Sequence, residues 1–184
     1  CELTVKTAKI PTQPIPKSMA TAGTLSYIID SKFNYHLPLY RLENILNRNQ
    51  IEVTRGTLGR WLIEAATLLR PLVKLLHDRV IQYDVAFADE TELQVLKEPG
   101  RKATQKSRMW VFIGGPPEQR SVVYQYHPTR EGAVAKDFFE DFKGGVHCDC
   151  YSGYDAAFKN SEIKILACWA HARRKFFDIV KTAK

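Results

Sequence analysis

Apolar residues first recur at helical spacing from Thr24, where Leu25, Ile28 and Ile29 fall on one face. A second helix is expected over Leu39 to Asn47, with Tyr40, Leu42 and Ile45 as its apolar positions. The polar run Asn47-Arg48-Asn49-Gln50 breaks it. Ile51 and Val53 follow, and Thr54 stands where an N-cap would stand. A long helix should then run from Arg55 to about Leu69, be interrupted at Pro71 and continue to about Val80. After residue 80 the period changes from 3.6 to 2. Ile81 to Asp89 reads as a strand that extends through Leu93 and Val95. A Pro99-Gly100 loop with a basic stretch leads to a second strand, Met109 to Ile113, which Gly114-Gly115-Pro116-Pro117 stops. Ser121 to Tyr126 is a third strand, and Arg130 to Phe142 a helix with Ala133, Val134, Phe138 and Phe139 apolar. A fourth strand (Gly145 to Cys150), a short helix (Tyr154 to Asn160), a fifth strand (Ile163 to Trp169) and a helix from Ala170 complete the chain.

Three strands joined by short loops are antiparallel, and strands joined through helices are parallel. The expected architecture is therefore α/β, a mixed sheet flanked by helices with a small helical region before it, in the element order of a ribonuclease-H-like fold. Residues 1–22 carry Pro11, Pro14 and Pro16 without apolar periodicity and read as an extended linker. Residues 23–80 form the helical region and 81–184 the sheet domain. Helix, polar turn, Thr cap and a helix with Leu58, Trp61, Leu62 and Ala65 inward make a helix-turn-helix pattern. Such a motif offers the start of its second helix to the major groove, here Arg55, Thr57 and Arg60. A helical hairpin that merely packs on its neighbour has the same pattern.

Composition narrows the function. With 184 residues and 45% hydrophobic residues the chain can bury a core and is not disordered. No apolar run reaches the roughly 18 residues of a membrane span, and the N-terminus lacks the apolar stretch of a signal peptide, so a cytoplasmic setting is expected. Net charge is +7, of which residues 1–80 hold +5 and residues 81–184 +2. A basic N-terminal part points to an anionic partner, nucleic acid above all. Four cysteines are too few for a disulfide framework.

Candidate chemistry centres on Asp89 in the first strand and Asp149 at the end of the fourth, 60 residues apart. Carboxylates on neighbouring strands give the hard oxygen ligands of a Mg²⁺ site for phosphoryl transfer. Asp89 follows Val85, Ala86, Phe87 and Ala88, and a charge in so apolar a segment calls for a partner or a metal. Alternation turns Glu90 to the opposite face, leaving it a secondary candidate, while Thr91 shares the face of Asp89. The cluster His147-Cys148-Asp149-Cys150 with Cys168 and His171 admits a zinc reading, against which alternation separates the cysteines from His147 and Asp149. Cysteines packed as small core residues are the simpler account. His171, Arg173, Arg174 and Lys175 open the last helix and are candidates to meet a DNA backbone, although a solvated face has the same composition.

These residues carry a resemblance. Ala88-Asp89-Glu90-Thr91, Met109-Trp110-Val111-Phe112, Asp149-Cys150-Tyr151-Ser152-Gly153-Tyr154 and above all Cys168-Trp169-Ala170-His171-Ala172-Arg173-Arg174-Lys175-Phe176 look like the core of the insertion-sequence-66 family of bacterial transposases. Leu37-Pro38-Leu39-Tyr40-Arg41 is similar to the helical region before that family's catalytic domain. The resemblance implies a DDE transposase that cleaves and joins DNA strands with Mg²⁺, or Mn²⁺ in its place, with Asp89 and Asp149 as its first two acids. It also implies DNA as partner, both transposon ends and target, a homo-oligomer assembled on that DNA, and a nucleoid-associated location. The family's third acid, a glutamate in an Asn-Asn-x-x-Glu type segment, has no match here. The expectation is thus a central piece of a longer protein, inactive alone. Cys1 would end a preceding zinc module, and Cys150 stands where relatives usually have glycine. The alternatives are a catalytically dead DNA-binding or assembly protein on the same fold, and a nuclease that cuts without joining.

Overall fold

A computed structural model describes residues 8, 11–149 and 151–182. Cys1 and Cys150, with the readings attached to them, lie outside the described residues. The chain divides into two compact units, residues 1–71 and 72–184.

The first unit holds α1 (Ala22–Phe33), α2 (Leu39–Arg48) and the start of α3 (Arg55–Val80). Thr21 caps α1 by accepting from the Thr24 amide at 3.2 Å. Thr54 does the same for α3, accepting from the Thr57 amide at 3.3 Å. The core of this unit is Leu25, Ile28, Leu42, Leu46, Val53, Leu58 and Trp61. On α2 the inward pair is Leu42 and Leu46, one turn apart, and Tyr40 faces solvent. Where a linker is expected over 1–22, Ile15 and Ala20 are buried in this same core, and a turn closed by the Ser18 amide on the Ile15 carbonyl at 3.2 Å lies between them. Pro71 does not end α3, which continues through it to Val80.

The second unit is a five-stranded sheet in the order β3-β2-β1-β4-β5. Its strands are β1 (Val85–Gln94), β2 (Lys106–Gly114), β3 (Ser121–His127), β4 (Gly145–Cys148) and β5 (Lys164–Ala167), and its helices α4 (Gly132–Phe138), α5 (Ser152–Phe158) and α6 (Trp169–Thr182). The first three strands form an antiparallel meander, and β4 and β5 run parallel to β1 and to each other. This is the ribonuclease-H-like arrangement that the element order predicts.

Several boundaries differ from expectation. Ile81 to Tyr83 are a turn off the end of α3, with Ile81 and Tyr83 amides bonded to His77 and Val80 carbonyls, so β1 begins only at Val85. The fourth helix starts at Gly132 rather than Arg130 and ends at Phe138, after which Phe139 and Phe142 are buried from a turn. β4 ends at Cys148, one residue short of Asp149.

One face of the sheet carries the core. Ala86 and Ala88 of β1, Trp110 and Phe112 of β2 and Val146 and Cys148 of β4 are buried there against Phe138, Phe139, Phe142, Tyr154 and Phe158. The small alanines leave room for the rings: Phe112 stacks on Phe138 at 3.7 Å and meets Phe139 edge-on at 5.5 Å. His77 of α3 packs on Phe138 and donates from Nε2 to its carbonyl at 2.9 Å. Phe112→Ala should cost this unit about 3–5 kcal/mol, read as a lowered midpoint in chemical denaturation; a midpoint within error of the parent would contradict this core.

Candidate functional site

The parallel ladder between β1 and β4 pairs Val85 with Gly145, Ala86 with Val146 and Phe87 with His147. Its offset is 60 residues, the separation of Asp89 from Asp149. The paired register ends at Phe87 and His147, two residues short of both acids. Asp89 sits midway along β1, and Asp149 follows the last residue of β4.

The two acids have different surroundings. Alternation along β1 turns Ala86, Ala88 and Glu90 to the core and Phe87 and Asp89 to the other face. The apolar flank of Asp89 therefore does not bury it. Its side chain is 54% exposed, and its Oδ1 accepts from the Glu90 amide at 2.9 Å. On this open face a cavity of about 330 Å³ is lined by Phe87, Asp89, Arg120, His147, Cys168 and His171, among others. His171 Nε2 lies 4.0 Å from Asp89 Oδ2, and His171 Nδ1 is buried with no hydrogen-bond partner among the described residues.

Asp149 has left the strand and so escapes its alternation. Its Oδ1 accepts from the Tyr151 amide at 3.0 Å and its Oδ2 from Arg130 Nη2 at 3.2 Å. Arg130 also donates from Nε to Glu90, and its guanidinium lies 3.9 Å from the centre of the Tyr151 ring. Tyr154 donates to the other Glu90 oxygen at 3.0 Å. The Glu90 side chain is 1% exposed, so the buried acid is the one that sequence reasoning ranked second. Burial pushes the Glu90 carboxyl above the usual range against the opposing pull of Arg130. Burial, with the Glu90 charge beside it, likewise pushes the Tyr154 phenol up.

Two glycines make this meeting possible. A Cβ on Gly132 would lie 2.2 Å from the Gly153 carbonyl oxygen, and one on Gly153 would lie 2.1 Å from the Tyr151 ring. The first turns of α4 and α5 meet there, with Arg130 two residues before the one and Tyr151 immediately before the other. Arg130 was not singled out from the sequence, since nothing local marks an arginine paired with a residue 40 positions away. Tyr151 and Tyr154 do lie within the Asp149–Tyr154 motif.

The remaining candidates divide. Arg174 and Lys175 share a cavity of about 690 Å³ with Arg130, Asp149, Tyr151 and His171, so His171 borders the cavities of both acids. Arg173 turns elsewhere, over the Phe177 ring at 5.7 Å. Thr91 is exposed. In the first unit Thr57 and Arg60 line a cavity with residues 15–19, and the Arg55 amide donates to Glu43 at 3.0 Å.

Asp89 and Asp149 are carboxylates, the ligand type a divalent cation takes; Asp89 is open to solvent, while both Asp149 oxygens are engaged by Arg130 and the Tyr151 amide. Cys148 is buried on the core face, and among the described residues no three His, Cys, Asp or Glu side chains converge as a metal set. No helix among them is long and apolar enough to cross a membrane.

Residues 17–184 match the model of a family described as Transposase IS66 family. Two curated relatives from Sinorhizobium fredii (strain NBRC 101917 / NGR234), the uncharacterized proteins y4jD and y4qI, are 34% and 33% identical to the chain. They align with 98% and 94% of it but with only 37% and 34% of their own lengths, so the chain spans about a third of each. Among solved structures, the simian T-cell lymphotropic virus intasome in complex with a PP2A regulatory subunit aligns over 48% of this chain and 33% of its own, at 11% identity and TM-score 0.36. The Mos1 transposase paired-end complex aligns over 92% and 63%, at 11% identity and TM-score 0.28. At these scores the likeness adds nothing to the topology itself.

Arg130→Ala leaves Glu90 buried without its cation. The cost should be about 2–3 kcal/mol, reduced from that of a fully buried pair because 37% of the Arg130 side chain reaches solvent. Equilibrium unfolding measures it, and a variant as stable as the parent would contradict the pairing.

Proposed function

The chain belongs to the Transposase IS66 family, and from that premise we propose that it carries the first two acids of a DDE-type site for Mg²⁺-dependent cleavage and joining of DNA strands. The observation that supports this reading is the parallel β1–β4 register, whose 60-residue offset equals the separation of Asp89 and Asp149. In the reaction, a DNA phosphodiester is attacked in line, by water in cleavage and by the freed 3′-hydroxyl in joining. Asp89 and Asp149 would hold the cation, which when bound supplies charge neutralisation at the phosphate and polarises the attacking oxygen.

The chain's own residues have separate tasks. Arg130 and the Tyr151 amide fix the orientation of Asp149, one on each oxygen. Arg174 and Lys175, lining the cavity beside Asp149, meet the negative charge of the strand being cut. His171 borders both cavities and is a candidate contact to the same strand. Arg173 is a weaker candidate because its guanidinium is directed at Phe177. The first unit would add a duplex contact through Arg55, Thr57 and Arg60 at the start of α3. Transposon ends and target DNA are then the partners, with a homo-oligomer assembled on DNA in a cytoplasmic, nucleoid-associated setting. No segment of this chain matches the one that carries the family's third acid, so the proposal concerns the first two acids alone.

Asp89→Asn and Asp149→Asn should each weaken Mn²⁺ binding at least tenfold, followed by paramagnetic line broadening. Unchanged Mn²⁺ affinity in both variants would sink the assignment. Arg55→Ala with Arg60→Ala should weaken duplex binding and flatten its dependence on log salt concentration by about 1.8, two phosphate contacts at about 0.9 each. The parent's slope retained in that variant would remove the start of α3 from the interface.

A further inference from the structure

The connection between β1 and β2 is a built, basic surface. Beyond Thr91 the two strands continue as a ribbon past the last residue that β4 pairs with, through Leu93 opposite Ser107 and Gln94 opposite Lys106. Residues 95–105 close it. From Glu92 to Arg108 the ribbon and its loop carry five cations, Lys97, Arg101, Lys102, Lys106 and Arg108, against two anions, Glu92 and Glu98.

Both anions are spent inside the structure. Glu92 pairs with Lys106 and, at 2.9 Å, with Arg108. Glu98, its side chain only 11% exposed, accepts from Tyr126 and from Ser107 at 2.7 Å and pairs with Arg101 at 3.3 Å. Those bonds hold its carboxyl below the usual range, so it stays ionised. Arg101 goes on to donate to the carbonyls of Pro128 and Lys106, and Gln94 donates to that of Ala103 at 2.9 Å. Lys97 and Lys102 are left exposed and in no ion pair among the described residues. Beside Lys97, Leu96 is 68% exposed.

A solvated loop of eleven residues has no need of a multiply bonded carboxylate fastening it to two strands. A loop that must present cations in one geometry does, because ordering it beforehand removes that cost from binding. Its position also fits. The loop leaves the carboxy-terminal end of β1, beyond the point where the parallel β4 ends with Asp149 just after it. Ligands of open α/β sheets bind outside the carboxyl ends of the strands. From Asp89 to Gln94 the strand advances about 17 Å, which is about five base pairs of duplex at about 3.4 Å each.

We propose that the 95–105 loop is a phosphate clamp: Lys97 and Lys102, held by the Glu98–Arg101–Tyr126 fastening, contact the backbone of duplex DNA about half a helical turn from the bond at the acidic site. The inference rests on the reading of that site as one acting on DNA. It adds a contact surface that the helix-turn-helix-like region and α6 do not supply.

The test is duplex binding by the parent chain, by the variant Lys97→Glu with Lys102→Glu, and by a control, Lys136→Glu with Lys159→Glu, which changes net charge equally on α4 and at the end of α5. Affinities are measured by fluorescence anisotropy from 50 to 300 mM salt. The loop variant should lose tenfold or more in affinity relative to the control and show a salt slope shallower than the control's by about 1.8. Equal slopes and affinities in the two variants would overturn the clamp while leaving the DNA reading intact. A parent chain with no salt-dependent duplex binding would overturn that reading, and the clamp with it. Glu98→Gln should weaken binding without changing net charge in the direction that opposes DNA; binding unchanged or tightened would show that the fastening does not matter and would overturn the pre-ordered form of the proposal.

Discussion

A carboxylate withdrawn from water organises the second unit. Glu90 ends the inward row of β1, beyond Ala86 and Ala88, where an ionised group costs several kcal/mol unless it is fully bonded. Its two oxygens are met by Arg130 and Tyr154. That demand draws the residue before α4 and the first turn of α5 onto one strand, and the guanidinium so anchored reaches Asp149. The aromatic core depends on the same meeting. Tyr154 donates to Glu90 while its ring lies edge-on to Trp110, a contact that packs α5 on the sheet.

The alternation of β1 separates structure from chemistry. Its inward face supplies small apolar residues and the buried acid, and its outward face supplies Phe87 and Asp89 at an open cavity. Asp149 belongs to neither face, since β4 ends before it. It is held from the core side by Arg130, while His171 of α6 borders both its cavity and that of Asp89. Asp89 on β1 and Asp149 just past β4, with Arg130, Arg174 and Lys175 beside the second, are the groups that the proposed phosphodiester site would use. The basic loop after β1 would extend that site.

Much of this was legible in the sequence. Period alone separates three helices from a sheet of five strands, and Thr54 with Leu58, Trp61 and Ala65 specifies the start of α3. The order of strands and crossovers yields the topology, which sets β1, with Asp89, beside β4, which ends one residue before Asp149. What failed has physical causes. The run Val85 to Ala88 suggests burial on both faces, yet only the alanines are inside, so Asp89 is open and Glu90 closed. Arg130 reads as the first residue of a helix because its neighbours are helical in pattern. Its pull toward Glu90 and Asp149 sets it outside α4, and a pairing across 40 residues leaves no local mark. Ile15 and Ala20 lie in a segment whose prolines mimic a linker, and two isolated apolar residues do not reveal that a core awaits them.

The central claim is that Asp89 and Asp149 share a divalent cation where β4 ends beside β1. Crystals of the chain equilibrated with Mn²⁺ and recorded at the manganese absorption edge test it most directly. The account predicts an anomalous peak within about 2.3 Å of an oxygen of each of the two carboxylates. A peak at Cys168 and His147 instead, or none between the two acids with Arg130 still seated on Asp149, would contradict it.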